Sequence, residues 1–260
     1  MDADKSNSVF LYRHSTFISD EDLYFVLHFL VKRAKQLCQN IKLTKIGTAT
    51  ACTYLQRFYS NNLFRLCTHD PYNVVVVIVY LASKVEECAV RLEDILSVLT
   101  FTTPPAPELL LLEMEILKAL DFDLKITHPY RSVNLIIGIV EGPDEPAFGE
   151  DVAQVATSII NDSFFTDMCL RFKPHLIGIA AVKMACLTMD RSFDRLQRYL
   201  THDEVAITCI IATIHLMYSK GRVCASDELS SQRMHSILDK MRKESKSRRE
   251  DSGLITQLTK

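Results

Sequence analysis

The stretch VVVVIVYLASKVEE, residues 74–87, decides between two fold classes. Its first six residues are β-branched, which is typical of a buried β-strand. Asp70-Pro71 stands directly before it, however, and this pair is typical of the N-cap and the first turn of a helix. A lone strand would leave its backbone N–H and C=O groups unpaired in the interior. We therefore predict a helix that is apolar on all sides and lies at the centre of other helices.

Helix signals recur along the chain, and no Asn-Gly or Asp-Gly hairpin turn occurs, so we predict an all-α protein. Ser19 with Asp22 resembles a capping box at the start of a helix over about residues 20–39, and Thr44 caps a second helix that ends near Tyr59. Further helices are predicted by apolar periodicity at about 91–99, 107–121, 131–141, 147–168, 174–189, 193–199 and 203–219.

A weak internal repeat relates the two halves of the chain. Aligning Pro71 with Pro174 places Lys84 on Leu187. Two five-helix units fit the length of 260 residues. The predicted division is an N-terminal segment over 1–18, a first unit over 19–124, a connector over 125–131, a second unit over 132–222, and a C-terminal helix with a charged tail over 223–260.

The charged tail contains the segment DKMRKESKSRRED, residues 239–251. A further helix is predicted beyond Ser226, and the charged segment at its end is expected to be solvated or disordered. A nuclear import signal is the alternative interpretation of the same residues.

Composition and charge argue against several function classes. The formal net charge is −2, so no global positive field is available to attract nucleic acid or an anionic membrane. The longest apolar run, residues 74–82, is far shorter than the ~20 residues that span a bilayer, and the polar start MDADKSNS is not typical of a signal peptide. We expect a soluble, intracellular protein that binds neither nucleic acid directly nor a membrane.

No motif for catalysis, metal binding or nucleotide binding is present. The eight cysteines form no Cys-x-x-Cys pair and are expected to be buried, reduced thiols. The seven glycines form no phosphate-binding loop, and neither H-E-x-x-H nor G-x-S-x-G occurs. We therefore predict no enzyme activity of the chain itself, no cofactor and no metal.

Two charged residues break otherwise apolar helix faces. Lys84 lies within about 80° of Val77 and Leu81 on the helical wheel. Glu113 lies about 160° from Glu115, on the side where the leucines of its own helix point. A buried carboxylate needs a partner, and Lys84 is the candidate. The pair is either an anchor at the edge of a protein-docking face or an internal structural ion pair, and no separate role follows for Glu86 and Glu87.

Three segments resemble successive helices of a cyclin box: ATACTYLQRFYSNN (49–62), LASKVEE (81–87) and LLEMEILKALDFDL (111–124). The resemblance to the cyclin family covers about residues 19–220 and implies two tandem five-helix cyclin boxes, with the kinase bound by the first. In the family, the lysine of LASKVEE and a glutamate of the fifth helix contact the kinase. The kinase-binding residues implied by the resemblance are Lys84, Glu113, Leu81, Val85 and Leu117.

THPYRS (127–132) and INDSFFTDMCL (160–170) are similar to the transcription-associated cyclins, most of all to the cyclin C type of the Mediator kinase module. The cyclin H type, from the kinase-activating complex of general transcription factor H, is the alternative, because GTATACTYLQRFYSNN (47–62) is similar to it. The chain has no tryptophan, although one is expected near the start of cyclin C.

The resemblance implies a regulatory subunit that binds and activates a cyclin-dependent kinase in transcription. Subunits of the Mediator kinase module, or alternatively of general transcription factor H, are the further partners that it implies. The expected location is the nucleus, with the cytoplasm as a second location. A B-type transcription factor shares the cyclin fold, but it would need a zinc ribbon with Cys-x-x-Cys pairs and a basic second repeat.

Overall fold

The computed structural model describes residues 18–61, 63, 65–88, 90–140, 147–191, 204–220 and 227–258. All regular structure in these ranges is α-helical, so the predicted fold class is confirmed. The helices are α1 (Asp20–Asn40), α2 (Lys45–Asn61), α3 (Arg65–Thr68), α4 (Pro71–Val85), α5 (Leu92–Ser97), α6 (Ala106–Ala119), α7 (Tyr130–Val140), α8 (Ala147–Ser163), α9 (Met168–Arg171), α10 (Pro174–Thr188), α11 (Glu204–Ser219) and α12 (Asp227–Leu258). None of these helices has both the length and the apolar character of a membrane span.

The helices group into two units, and the chain passes from one to the other between Asp123 and Leu124. The first unit contains α1–α6 together with α12, and the second contains α7–α11. The helix predicted at 193–199 lies outside the described residues. The predicted bounds of the two boxes remain a prediction.

The helix starts follow from side chains that the sequence makes visible. The Ser19 hydroxyl accepts a hydrogen bond from the Asp22 N–H at 3.2 Å, and the Thr44 hydroxyl accepts from the Gly47 N–H at 3.0 Å. The Asp70 carboxylate accepts from the first-turn N–H groups of α4, the shorter bond being 2.8 Å. These caps satisfy N–H groups that have no partner inside the helix. The predicted starts of α1, α2 and α4 are therefore correct.

Four helices, α1, α4, α6 and α10, end in the same backbone arrangement. In α4, the Glu87 N–H donates to the Lys84 carbonyl at 3.2 Å, and the Cys88 N–H donates to the Ser83 carbonyl at 3.0 Å. This is a Schellman motif, whose left-handed residue is usually glycine. Here the left-handed residues, with φ of 53–54°, are Lys42, Glu87, Asp121 and Asp190.

Helix α4 is the centre of the first unit. Its six β-branched residues, 74–79, are each at most 4% exposed. Helices α1, α2 and α6 pack around it, and α1 and α2 contribute large buried side chains such as Phe25, Tyr54 and Phe58. Burial on every side thus outweighs the low helix propensity of the β-branched run. In the second unit, α10 also has 15 residues, begins with proline and lies among α7, α8 and α11.

Helix α12 packs against α1 and α3 of the first unit. Its buried residues follow helical spacing at Met234, Ile237, Leu238 and Met241. Residues 239–251 were expected to be solvated or disordered; α12 continues through them to Leu258, and Lys240, Lys243 and Glu244 are exposed, so this segment is a solvated helix where its side chains are described. Most of the charged residues there are lysine, arginine and glutamate, which favour helix.

The polar contacts of α12 lie near its start. The Arg233 guanidinium contacts Glu21 at 3.3 Å and Asp22 at 3.2 Å. It also lies over the Phe25 ring, 4.4 Å from the centroid. These contacts place a cation beside the acidic first turn of α1, where the helix dipole already favours the carboxylates.

The seven cysteines within the described ranges are free thiols. Burial is confirmed for Cys38, Cys52 and Cys186, whereas Cys209 is exposed, so the expectation of buried thiols is wrong there.

Candidate functional site

The structure brings together the two charges that break apolar helix faces. Lys84 stands in the last turn of α4 and Glu113 in the middle of α6. The Lys84 Nζ and the Glu113 Oε1 form an ion pair. The Lys84 side chain is 38% exposed and that of Glu113 only 9%, so the pair lies at the boundary between core and surface. Its contact with a kinase remains a prediction.

Both members of the pair are held by their own helices. The Lys84 ammonium lies 4.3 Å from the centroid of the Tyr80 ring, one turn earlier, in a cation–π contact. The negative end of the α4 dipole also favours a cation in the last turn. Glu113 lies between the buried Leu109 and Ile116, and its Oε1 atom is enclosed. Lys84 therefore supplies the charge that Glu113 needs at a buried position.

The end of α4 is fixed by the two glutamates for which the sequence suggested no role. The Glu86 carboxylate accepts a hydrogen bond of 2.6 Å from the Thr50 hydroxyl of α2. Glu87 adopts the left-handed conformation that closes the helix. Burial, together with the nearby Glu86 carboxylate, raises the pKa of Tyr54 to about 12. The last turn of α4 is thus attached to α2 by Glu86 and to α6 by Lys84.

The three apolar residues predicted to bind the kinase, Leu81, Val85 and Leu117, differ in how exposed they are. Leu81 is 3% exposed, so it is a core residue of α4, one turn before Lys84. Val85 and Leu117 are half-buried; Val85 follows Lys84 on α4, and Leu117 stands one turn after Glu113 on α6. Of the three, only Val85 and Leu117 present surface to another protein.

Sequence reasoning missed exposed apolar residues on α6. Leu110 is 44%, Leu111 68% and Met114 47% exposed. The signal was present in the run of four leucines at 109–112, because consecutive residues turn about 100° around a helix and four cannot all face one core. We define the docking face as Lys84, Val85, Leu110, Glu113, Met114 and Leu117.

The opposite face of α6 carries exposed charges around one exposed leucine, Leu111. Glu108, Glu115 and Lys118 are exposed there, and Glu115 contacts the His69 ring at 3.5 Å. Glu108 and Lys118 each lie about 140° around the helix from Glu113. This face gives a reference surface on the same helix as the docking face.

The second unit carries a different residue at the position of Lys84. Leu187 occupies that position on α10 and is 65% exposed. The ion pair of the docking face therefore has no counterpart at Leu187, and the two units differ in the surface they present there. In the described part of the chain, no cluster of three or more His, Cys, Asp or Glu residues is arranged to hold a metal.

Comparisons with known proteins give a consistent picture. The family model "Cyclin, N-terminal domain" matches residues 10–125. Cyclin-C of Rattus norvegicus is 29% identical over 242 residues, which are 87% of this chain and 82% of the rat protein. The RNA polymerase II holoenzyme cyclin-like subunit of Aspergillus clavatus is 29% identical over 180 residues, which are 66% of this chain and 56% of the fungal protein.

Among solved structures, a chain of the CAK complex from Chaetomium thermophilum, bound to ATP-gamma-S, has a similar fold. The TM-score is 0.69 at 22% sequence identity, and the match covers 88% of this chain and 75% of that one.

Proposed function

Because this chain belongs to the cyclin family, we propose that it is a regulatory subunit that binds and activates a cyclin-dependent kinase acting in transcription. The observation that carries the proposal is the Lys84–Glu113 ion pair on the same face of α6 as the exposed Leu110 and Met114. An ion pair inside a core needs no such surroundings, whereas a docking surface combines apolar area with a few charges that set specificity. The kinase itself carries the catalytic groups.

Activation follows from where the docking face binds. The kinase helix that carries the glutamate of the lysine–glutamate ion pair must be held inward before that pair can orient the ATP phosphates. Leu110, Met114 and Leu117 offer apolar area to such a helix, and the Lys84–Glu113 pair offers polar contacts at its edge. The subunit binds the active arrangement better than the inactive one and so shifts the kinase population toward activity.

The cyclin C type is the form of this function that we propose. The support is the 29% identity to rat Cyclin-C over most of both chains, together with the similarity to an RNA polymerase II holoenzyme subunit. The further partners are then subunits of the Mediator kinase module, and the location is the nucleus. In this proposal the first cyclin box covers 19–124 and binds the kinase, the connector covers 125–131, the second box covers 132–222, and the C-terminal helix with its charged tail covers 223–260.

The test is co-purification of a tagged chain with recombinant kinases of the cyclin C and cyclin H pairs, followed by a kinase assay on the eluate. Wild type is expected to retain and activate the cyclin C partner. The double variant Lys84→Glu/Glu113→Lys keeps opposite charges next to each other but inverts the charges offered to the kinase. We expect it to lose at least about 30-fold in affinity, since mispaired charges at an interface cost about 2 kcal/mol or more.

The matched control is Glu108→Lys/Lys118→Glu, which makes the same charge exchange on the opposite face of α6. It is expected to bind like wild type. Equal retention of kinase by both double variants would refute the docking face. If wild type retained neither kinase, the activator function itself would be refuted. If it retained only the kinase of the cyclin H pair, the chain would be assigned to the cyclin H type instead.

A further inference from the structure

The last turn of α4 has neighbours on two sides. On one side, Lys84 reaches Glu113 of α6; on the other, Glu86 accepts a hydrogen bond from Thr50 of α2 at 2.6 Å. Lys84 and Glu86 are two residues apart, so any movement of this turn displaces both side chains. Both α2 and α6 pack against α4.

We propose that Thr50 and Glu86 are positioning residues for Lys84, which set the direction from which its ammonium is offered to the kinase. This inference rests on the proposed function and deepens it. Thr50 has 0% exposed surface, so it cannot touch a partner and can act on binding only through the residues that it holds. Glu86 lies at the C-cap, where its N–H donates to the Ala82 carbonyl at 3.0 Å and its side chain attaches the cap to α2.

The backbone bonds of the Schellman motif satisfy the last carbonyl groups of α4, but they are all local and do not fix the position of this turn relative to α2. The bond from a hydroxyl to a carboxylate is charge-assisted and short, and it connects residues 36 positions apart in the chain. It therefore orders the turn before the kinase arrives. Binding then does not have to order it, and preorganisation of this kind raises affinity without any new contact.

A matched control is available on the same helix. Thr53 is 4% exposed, and its hydroxyl donates to the Ala49 carbonyl of α2 itself, at 2.9 Å. Thr50→Val and Thr53→Val each replace a buried hydroxyl by a methyl group on α2. Only the first removes the bond to α4.

The experiment titrates a recombinant cyclin-dependent kinase with each variant and measures the concentration that gives half-maximal activity. Thr50→Val is expected to raise this concentration about 5- to 10-fold, a part of what a lost hydrogen bond to a charged group costs. Thr50→Ser should restore it, and Thr53→Val should leave it near wild type. In a Lys84→Ala background, Thr50→Val should add little, because its effect passes through Lys84.

Each result separates this inference from the proposed function. If Lys84→Ala itself leaves activation unchanged, the docking face is wrong. If Lys84→Ala weakens activation but Thr50→Val does not, only the positioning role is overturned. Equal losses in Thr50→Val and Thr53→Val, or full additivity with Lys84→Ala, would show that the hydroxyl contributes to general stability alone.

Discussion

Replacing Glu87 by glycine should stabilise the first unit. Glu87 is exposed and holds φ at 54°, a conformation that costs a residue with a Cβ about 1–2 kcal/mol. Glycine removes this cost, but it also makes the unfolded chain more flexible, which opposes folding by about 0.4–1 kcal/mol. The net gain in the free energy of unfolding is then about 0.5–1 kcal/mol, or about 1–4 °C in Tm.

The control for this prediction is Glu87→Ala. Both substitutions remove the same carboxylate from the C-terminal end of α4, so both change the interaction with the helix dipole equally. Only glycine relieves the left-handed backbone, and the difference between the two variants isolates that contribution. Urea unfolding followed by circular dichroism gives the stabilities, and amide exchange in α4 assigns the change to the first unit. If the glycine variant were no more stable than the alanine variant, the assigned strain at Glu87 would be refuted.

Three further predictions concern stability. Asp70→Ala should cost about 1 kcal/mol in urea unfolding, because the first N–H groups of α4 lose their acceptor; unchanged stability would contradict this cap. Burial, followed by the charges of Lys32 and Lys35, lowers the pKa of His28 to about 4. The unfolded chain therefore binds the proton more tightly, and stability should fall by about 2–3 kcal/mol as the pH drops from 6.5 to 4, a fall that His28→Phe should remove. Arg233→Ala should lower the Tm, measured by calorimetry, by about 1–3 °C at low salt and by less at 1 M salt. The reason is that the contacts of Arg233 with two carboxylates of α1 are largely exposed, so salt screens them. If the decrease in Tm did not depend on salt, the loss would come from packing on the Phe25 ring instead.

The helix starts could be predicted from the sequence, whereas the details of the ends could not. Ser19 and Asp70 have the side chains that a cap requires, so their identity alone indicates a start. The left-handed residues that close four helices are lysine, glutamate and aspartate, and none of these marks a helix end by its chemistry. All four residues are exposed, and the backbone hydrogen bonds of the helix end hold their conformation, which no side chain in a local window of sequence reveals.

The candidate site shows the same limit. Helical spacing identified Lys84 and Glu113 as neighbours of apolar residues, because periodicity depends only on sequence position. The degree of burial depends on the neighbouring helices, so Leu81 proved to be a core residue while Leu110 and Met114 proved to be surface. The bond from Thr50 to Glu86 joins residues far apart in the chain and was equally invisible.

The buried β-branched run of α4 has a consequence for aggregation of the unfolded or partly unfolded protein. Residues 74–79 carry no charge and no proline, and six such β-branched residues in a row are typical of segments that stack into cross-β aggregates once they are exposed. Only the cover that α1, α2 and α6 provide keeps the segment helical and out of contact with other chains. Variants that loosen this cover should therefore reduce the amount of soluble protein in the cell before they weaken the affinity of the remaining folded molecules for a kinase.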